Sequence, residues 1–164
     1  LEEVTFRRTV IPVQELLDAA GKYFKKLMKN RPERIELEIE PMEAKVIGDV
    51  NQLRFLLENL IDEALTVRED GVIRLQARKD NEYIRFLFTD TRREKSVEEL
   101  NQLFYPNLAR MTSGEKGELR GTEYLVCKQI IRDHDEFAGR RGCRINAEPA
   151  EGGGFTVYFT IPRR

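Results

Sequence analysis

The chain has 164 residues, 40% of them hydrophobic and 35% charged, which is enough for one domain with a real core. Its 28 Lys and Arg balance 29 Asp and Glu, which argues against a dedicated nucleic-acid binder, since such proteins carry a basic excess on some element. No apolar run approaches a bilayer span, the start carries no signal-peptide pattern, and Cys127 and Cys143 show neither zinc spacing nor a disulfide framework.

VTFRRTV (4–10) alternates and predicts a strand. From Pro12 the period changes: Val13, Leu16, Leu17, Ala20, Phe24, Leu27 and Met28 make one face of a helix. RIELEIE (34–40) alternates again, with Ile35, Leu37 and Ile39 on one side, and Pro41 closes it. KVIG (45–48) reads as a short extension. The strongest helix runs from Asp49, a suitable N-cap, to about Val67, with Leu53, Leu56, Leu57, Leu60, Ile61, Ala64 and Leu65 at unbroken helical spacing. After the EDG turn (69–71), VIRLQAR (72–78) and YIRFLFT (83–89) flank KDNE as a hairpin. VEELNQLF (97–104) is a short helix, 105–121 a loop with three glycines, and 122–133 a further helix. CRINAEP (143–149) and FTVYFTIP (155–162) flank EGGG as a last hairpin. Strands with one apolar face and helices with one broad apolar side predict an α+β protein. The expected architecture is a two-layer α/β sandwich, a mixed and mostly antiparallel sheet with helices on one face, built as a single domain over residues 1–164.

Four blocks then stand in order: DVNQLRFLLENLIDEALTV (49–67), FTDTRREKSVEELNQLFYPN (88–107), GTEYLVCKQIIRDH (121–134) and INAEPAEGGGFTVYFTIP (145–162). Their order and spacing resemble the ATP-binding catalytic domain of sensor histidine kinases. That Bergerat-type fold is shared with type II topoisomerases, the Hsp90 chaperones and the MutL repair proteins. The resemblance extends over nearly the whole chain, from IPVQELL (11–17) to Pro162.

The resemblance implies a nucleotide site and names its residues. The family's first helix carries two Asn residues four apart, the second of which holds the magnesium on the phosphates. Asn59 matches the first and Glu63 the second, with Thr66 where a basic residue is expected. Magnesium accepts hard carboxylate oxygens, so Glu63 is the candidate metal ligand. Without metal it opposes the triphosphate: two unit charges about 4 Å apart at a dielectric of ~20 repel by about 4 kcal/mol, roughly a thousandfold in affinity. The other reading of Asn59 and Glu63 is a solvated flank of an amphipathic helix. Asp90 stands where the family's Asp accepts from the adenine amino group. The glycines that normally follow are Arg92 and Glu94, and glycine allows backbone angles and close ligand approach that these residues resist. Of the three glycines that meet the phosphates at a helix start, only Gly121 remains, between Leu119 and Glu123. The implied cofactors are ATP and magnesium, and the implied cofactor-binding residues are Asn59, Asp90 and Gly121.

His134, the only histidine, is expected to be structural, because the family's phosphoacceptor sits on a separate helical domain. The chain alone is expected not to autophosphorylate, and no catalytic residue is assigned. Cys127 is expected to serve packing and Arg140–Arg141 to form a solvated turn. Scaffold positions survive while ligand positions change, which favours a degenerate kinase domain with weak or lost ATP binding, acting as a protein-interaction module. The alternative is a working Mg-ATP domain that phosphorylates a histidine on a partner domain. A start at Leu1 rather than Met implies a piece of a longer protein, cytoplasmic or the cytoplasmic part of a membrane-tethered one. The implied partners are that protein's dimerisation and phosphoacceptor domain and a response regulator, with neither nucleic acid nor direct membrane insertion.

Overall fold

The helix from Val50 to Ala64 (α2) organises the molecule. Asp49 caps it, its carboxylate accepting from Gln52 N at 3.1 Å. The apolar stripe Leu53, Leu56, Leu57, Leu60, Ile61 and Ala64 is buried, as its helical spacing requires. In the computed structural model, which describes residues 5–106 and 122–164 together with the backbone of 112–113 and 119–120, α2 lies between two other helices. These are α1 (Val13–Met28), which buries Val13, Leu16, Leu17, Ala20 and Phe24, and α4 (Glu123–Phe137), which buries Tyr124, Cys127, Ile130, Ile131 and His134.

The three helices cover one face of a five-stranded sheet of order β2–β4–β5–β9–β8. Its strands are β2 (Ile35–Ile39), β4 (Gly71–Asp80), β5 (Tyr83–Asp90), β8 (Ile145–Pro149) and β9 (Phe155–Pro162). Only the β2–β4 pair is parallel, because α2 forms the crossover between them; β4–β5 and β8–β9 are antiparallel hairpins, and β9 also pairs antiparallel with β5 from far along the chain. Alternation decides the faces. Ile73, Leu75 and Ala77, then Ile84, Phe86 and Phe88, then Phe155, Val157, Phe159 and Ile161 are buried toward the helices. Phe86 and Phe159 stand opposite each other and stack at 4.8 Å between ring centres. The other face is polar: Glu38 pairs with Arg74, Glu40 with Arg78, Arg85 lies over Tyr158, and the Thr89 and Thr156 hydroxyls are 2.7 Å apart.

The remaining elements are β1 (Thr9–Pro12), β3 (Lys45–Gly48), α3 (Val97–Asn101), and the two-residue strands β6 (Thr112–Ser113) and β7 (Leu119–Arg120). The sheet class, the single-sided helices and the chain order follow the sequence expectation. Three details differ. The first strand is Thr9–Pro12, paired with the four residues of β3, and of the expected 4–10 span residues 5–8 lie before it, Val4 being outside the described residues. KVIG is that partner, in a separate two-stranded sheet, and not an extension of β2. The segment expected as a loop carries the β6–β7 ladder. Among the described residues no helix is long and apolar enough to cross a membrane.

Candidate functional site

At the end of β5 the chain leaves the sheet with Asp90 buried, 3% exposed. Its carboxylate accepts three hydrogen bonds from its own turn. Arg92 N donates to Oδ1 at 3.0 Å, and the Arg92 guanidinium grips the same carboxylate in bidentate fashion, Nε to Oδ1 and Nη2 to Oδ2, both at 2.9 Å. The rest of the guanidinium points at the end of α2. Nη1 donates to the carbonyls of Val67 and Glu69, each at 2.9 Å, and Nη2 to that of Ala64 at 2.6 Å. A guanidinium has five N–H donors, and all five are used. The carbonyls Arg92 collects come from α2's last turn and the segment after it, where a helix leaves carbonyls without partners and carries partial negative charge. Asp90 and the end of α2 therefore make a pocket for a cation, and Arg92 fills it with its side chain 1% exposed.

Two glycines make this geometry possible. Gly71, at φ +146°, has Arg92 against it: a Cβ there would lie 2.5 Å from Arg92 Cγ. Gly154, at φ +86° in the EGGG turn, lies so close to the Asp90 turn that a Cβ would be 2.1 Å from the Asp90 carbonyl oxygen. Among the described residues only Asn30 and Asn81 are non-glycines at positive φ, so Arg92 and Glu94 do not sit in the left-handed region. The substitutions cost no backbone strain at those two residues.

Glu63 and Asp90 line one cavity of about 200 Å3, together with Thr66, Lys95, Tyr124 and Phe155. Small-molecule pockets run about 300–1,000 Å3. Asn59 is buried, 7% exposed, and its amide donates to the Phe55 carbonyl one turn back at 2.7 Å. The solvated-flank alternative therefore fails for Asn59, while Glu63 is half-buried. Among the described residues no three His, Cys, Asp or Glu converge on a point that would hold a metal ion. Gly121 lies outside the described residues, as do Gly114 and Gly117. Glu123 opens α4, where its negative charge suits the helix end. Phe104 is buried edge-on against Tyr124, 5.7 Å between centres, and Lys128 donates to the Phe104 carbonyl at 3.3 Å.

The other nucleophilic and titratable side chains are built into packing. His134 is fully buried: Nδ1 donates to the Ile130 carbonyl at 2.8 Å and Nε2 accepts from Asp49 N at 3.0 Å. Burial lowers its pKa from the usual 6.5. Burial likewise raises the Cys127 thiol and pushes Cys143 up to about 12, so neither is a thiolate at neutral pH. Arg140 and Arg141 pair with Glu82 and Asp135 at the surface. The residue that sequence reasoning missed is Arg92. It was legible as a long side chain in place of glycine, but nothing local shows that it turns inward, because its partners lie up to 28 positions away.

Residues 48–164 match the family model for the histidine kinase-, DNA gyrase B-, and HSP90-like ATPases. The catalytic domain of the histidine kinase ThkA superposes with a TM-score of 0.73 at 21% identity over 98% of each chain. ThkA has also been solved in complex with the response regulator protein TrrA. The mycobacterial sensor histidine kinase MprB gives a TM-score of 0.72 at 18% identity, covering 96% of this chain and 99% of its own. Full-length ShkA in complex with AMPPNP gives 0.73 at 15% identity, covering 99% of this chain and 32% of that one. At these identities the likeness is one of fold. No curated protein matches the chain in sequence.

Proposed function

The chain belongs to the histidine kinase-, DNA gyrase B-, and HSP90-like ATPase family, and we propose that it has kept the fold of a histidine kinase catalytic domain as an interaction module in two-component signalling, with weak or lost ATP binding. The observation that carries this is Arg92. The acceptor that would meet an adenine amino group already holds two guanidinium N–H donors and a backbone amide. A base that takes over the acceptor positions Arg92 holds must expel Arg92 from a pocket that satisfies all of its donors. Breaking a buried ion pair costs about 3–5 kcal/mol. At ~1.4 kcal/mol per decade that is about two to four orders of magnitude in affinity. The 200 Å3 cavity beside Asp90, below the usual size of a small-molecule pocket, works in the same direction.

A second reading, a working Mg-ATP domain, is favoured by one observation: Glu63 and Asp90 line the same cavity, so a magnesium ligand and an adenine acceptor would share one site. In that case the domain would transfer the γ-phosphoryl of ATP to a histidine on another domain. His134 is not the acceptor in either reading, since both ring nitrogens are engaged and buried. The partners we place around the domain are a helical dimerisation and phosphoacceptor domain of the same longer protein and a response regulator such as the one that accompanies ThkA, in the cytoplasm.

A calorimetric titration of the chain with ATP, with and without magnesium, decides between the two. We expect no saturable heat up to millimolar ATP in either condition. Micromolar binding that appears only with magnesium would overturn the interaction-module reading and make Glu63 a metal ligand.

A further inference from the structure

The five-stranded sheet has two edges, and they are finished differently. β8 ends on Pro149 and lies against α3. β2 is hydrogen-bonded to β4 on one side, and among the described residues no strand meets its other side. A groove of 770 Å3 runs there between β2 and α1. Its helix wall includes Gly21, Lys22 and Lys25 of α1, and its strand wall the consecutive residues Glu36, Leu37, Glu38 and Ile39 of β2, so that positive charge stands on the helix side and negative charge on the strand. Consecutive strand residues point to opposite faces. A groove that touches all four therefore follows the backbone edge of the strand, where N–H and C=O groups stand available for pairing. Gly21 lets the Ile39 side chain pack close against α1 at that end, since a Cβ there would come 3.1 Å from Ile39 Cδ1.

We propose that β2 is a strand-addition site that accepts an extended segment of a partner protein in which apolar and basic residues alternate. Main-chain pairing to a sheet edge beside a helix supplies affinity, and alternate side chains supply selectivity. On the groove side the partner's apolar residues would join Leu37 and Ile39, both half-buried and packed against the core. On the open side its basic residues would face Glu36, Glu38 and Glu40, all exposed. Glu38 and Glu40 already share Arg74 and Arg78 across the sheet, and Glu36 has no ion pair among the described residues. Lys or Arg opposite this row is favourable, whereas like charges directly opposite are destabilising. The same row excludes a second copy of this chain, since β2 on β2 would set glutamate against glutamate. Charges on an edge strand commonly guard against self-pairing; here the guard leaves a basic strand as the complementary occupant.

The proposal deepens the interaction-module reading, and the two tests fail separately: the ATP titration does not involve β2, and a peptide titration does not involve Asp90. The probe is a soluble peptide of alternating valine and lysine with blocked ends, titrated into the isotope-labelled chain while amide NMR signals are followed. Saturable shifts are expected at residues 36–39 and Gly21, weakened by salt. The double variant Glu36→Lys/Glu38→Lys, whose side chains are exposed and whose fold is checked by its melting curve, should lose this response and gain one to a valine–glutamate peptide. Absence of saturable shifts at millimolar peptide, shifts centred elsewhere, or an equal response of the unaltered chain to the acidic peptide would each overturn the proposal. Concentration-dependent shifts at the same amides without peptide would also overturn it and assign the edge to a second copy.

Discussion

Arg92 and Asp90 form a pair whose worth lies in mutual satisfaction. Taking two charges out of water is costly, and only complete hydrogen bonding repays it. Here the carboxylate accepts three donors and the guanidinium uses all five of its own. Arg92→Ala leaves the buried Asp90 carboxylate without its counter-ion, and Asp90→Ala leaves a buried cation short of its anion. Each single change is expected to cost about 3–5 kcal/mol in urea unfolding, and the double change clearly less than the sum. An additive pair would show that the two groups do not depend on one another. The sequence marks both residues, as an acid at a strand end and a long side chain where the resembled family has glycine. Their contact arises from the turn's path, which no local pattern encodes.

At the scale of elements, the Asp90 turn is shaped by the hairpin opposite it. β5 and β9 pair in full register from Tyr83↔Pro162 to Asp90↔Phe155, which brings the EGGG turn against the end of β5. Gly152 and Gly154 both adopt positive φ, +88° and +86°, but a Cβ at Gly152 meets nothing within 4 Å whereas one at Gly154 meets the Asp90 backbone. Gly152→Ala should therefore cost only the left-handed backbone term, about 1–2 kcal/mol. Gly154→Ala adds a steric term of about 1–3 kcal/mol. Chemical denaturation of the two variants side by side isolates the contact, and equal losses would show that the turns do not press on one another. Glycines in a hairpin are legible in any sequence. Which of them is pinned by a neighbouring strand depends on register.

At the scale of the whole molecule, His134 ties the helical layer to the N-terminal part of the chain. Its ring accepts from the α2 cap residue, stands edge-on to Phe6 with 4.8 Å between centres, and leaves no room for a Cβ at Gly48, which would come within 2.8 Å. Burial holds the folded pKa below the usual 6.5, so the unfolded chain binds the proton more readily. The stability this group contributes is then present above about pH 6.5 and is lost as pH falls through it. Urea midpoints at about pH 7.5 and about pH 5.5 should show the loss. His134→Leu, although less stable overall, should show a smaller difference between them. An unchanged difference would place the acid sensitivity in other groups.

The order of elements, their amphipathic faces and the family resemblance follow from the sequence alone, because helical and strand periodicities are local and binary patterning selects the face each element buries. Asp49 as a helix cap and the Leu53–Ala64 stripe needed no tertiary information. The direction Arg92 takes, the burial of Asn59, the pairing of β1 with β3 and the groove beside β2 were decided only by the tertiary structure. Each depends on backbone groups brought together from distant segments, and a carbonyl's availability has no signature in residue type.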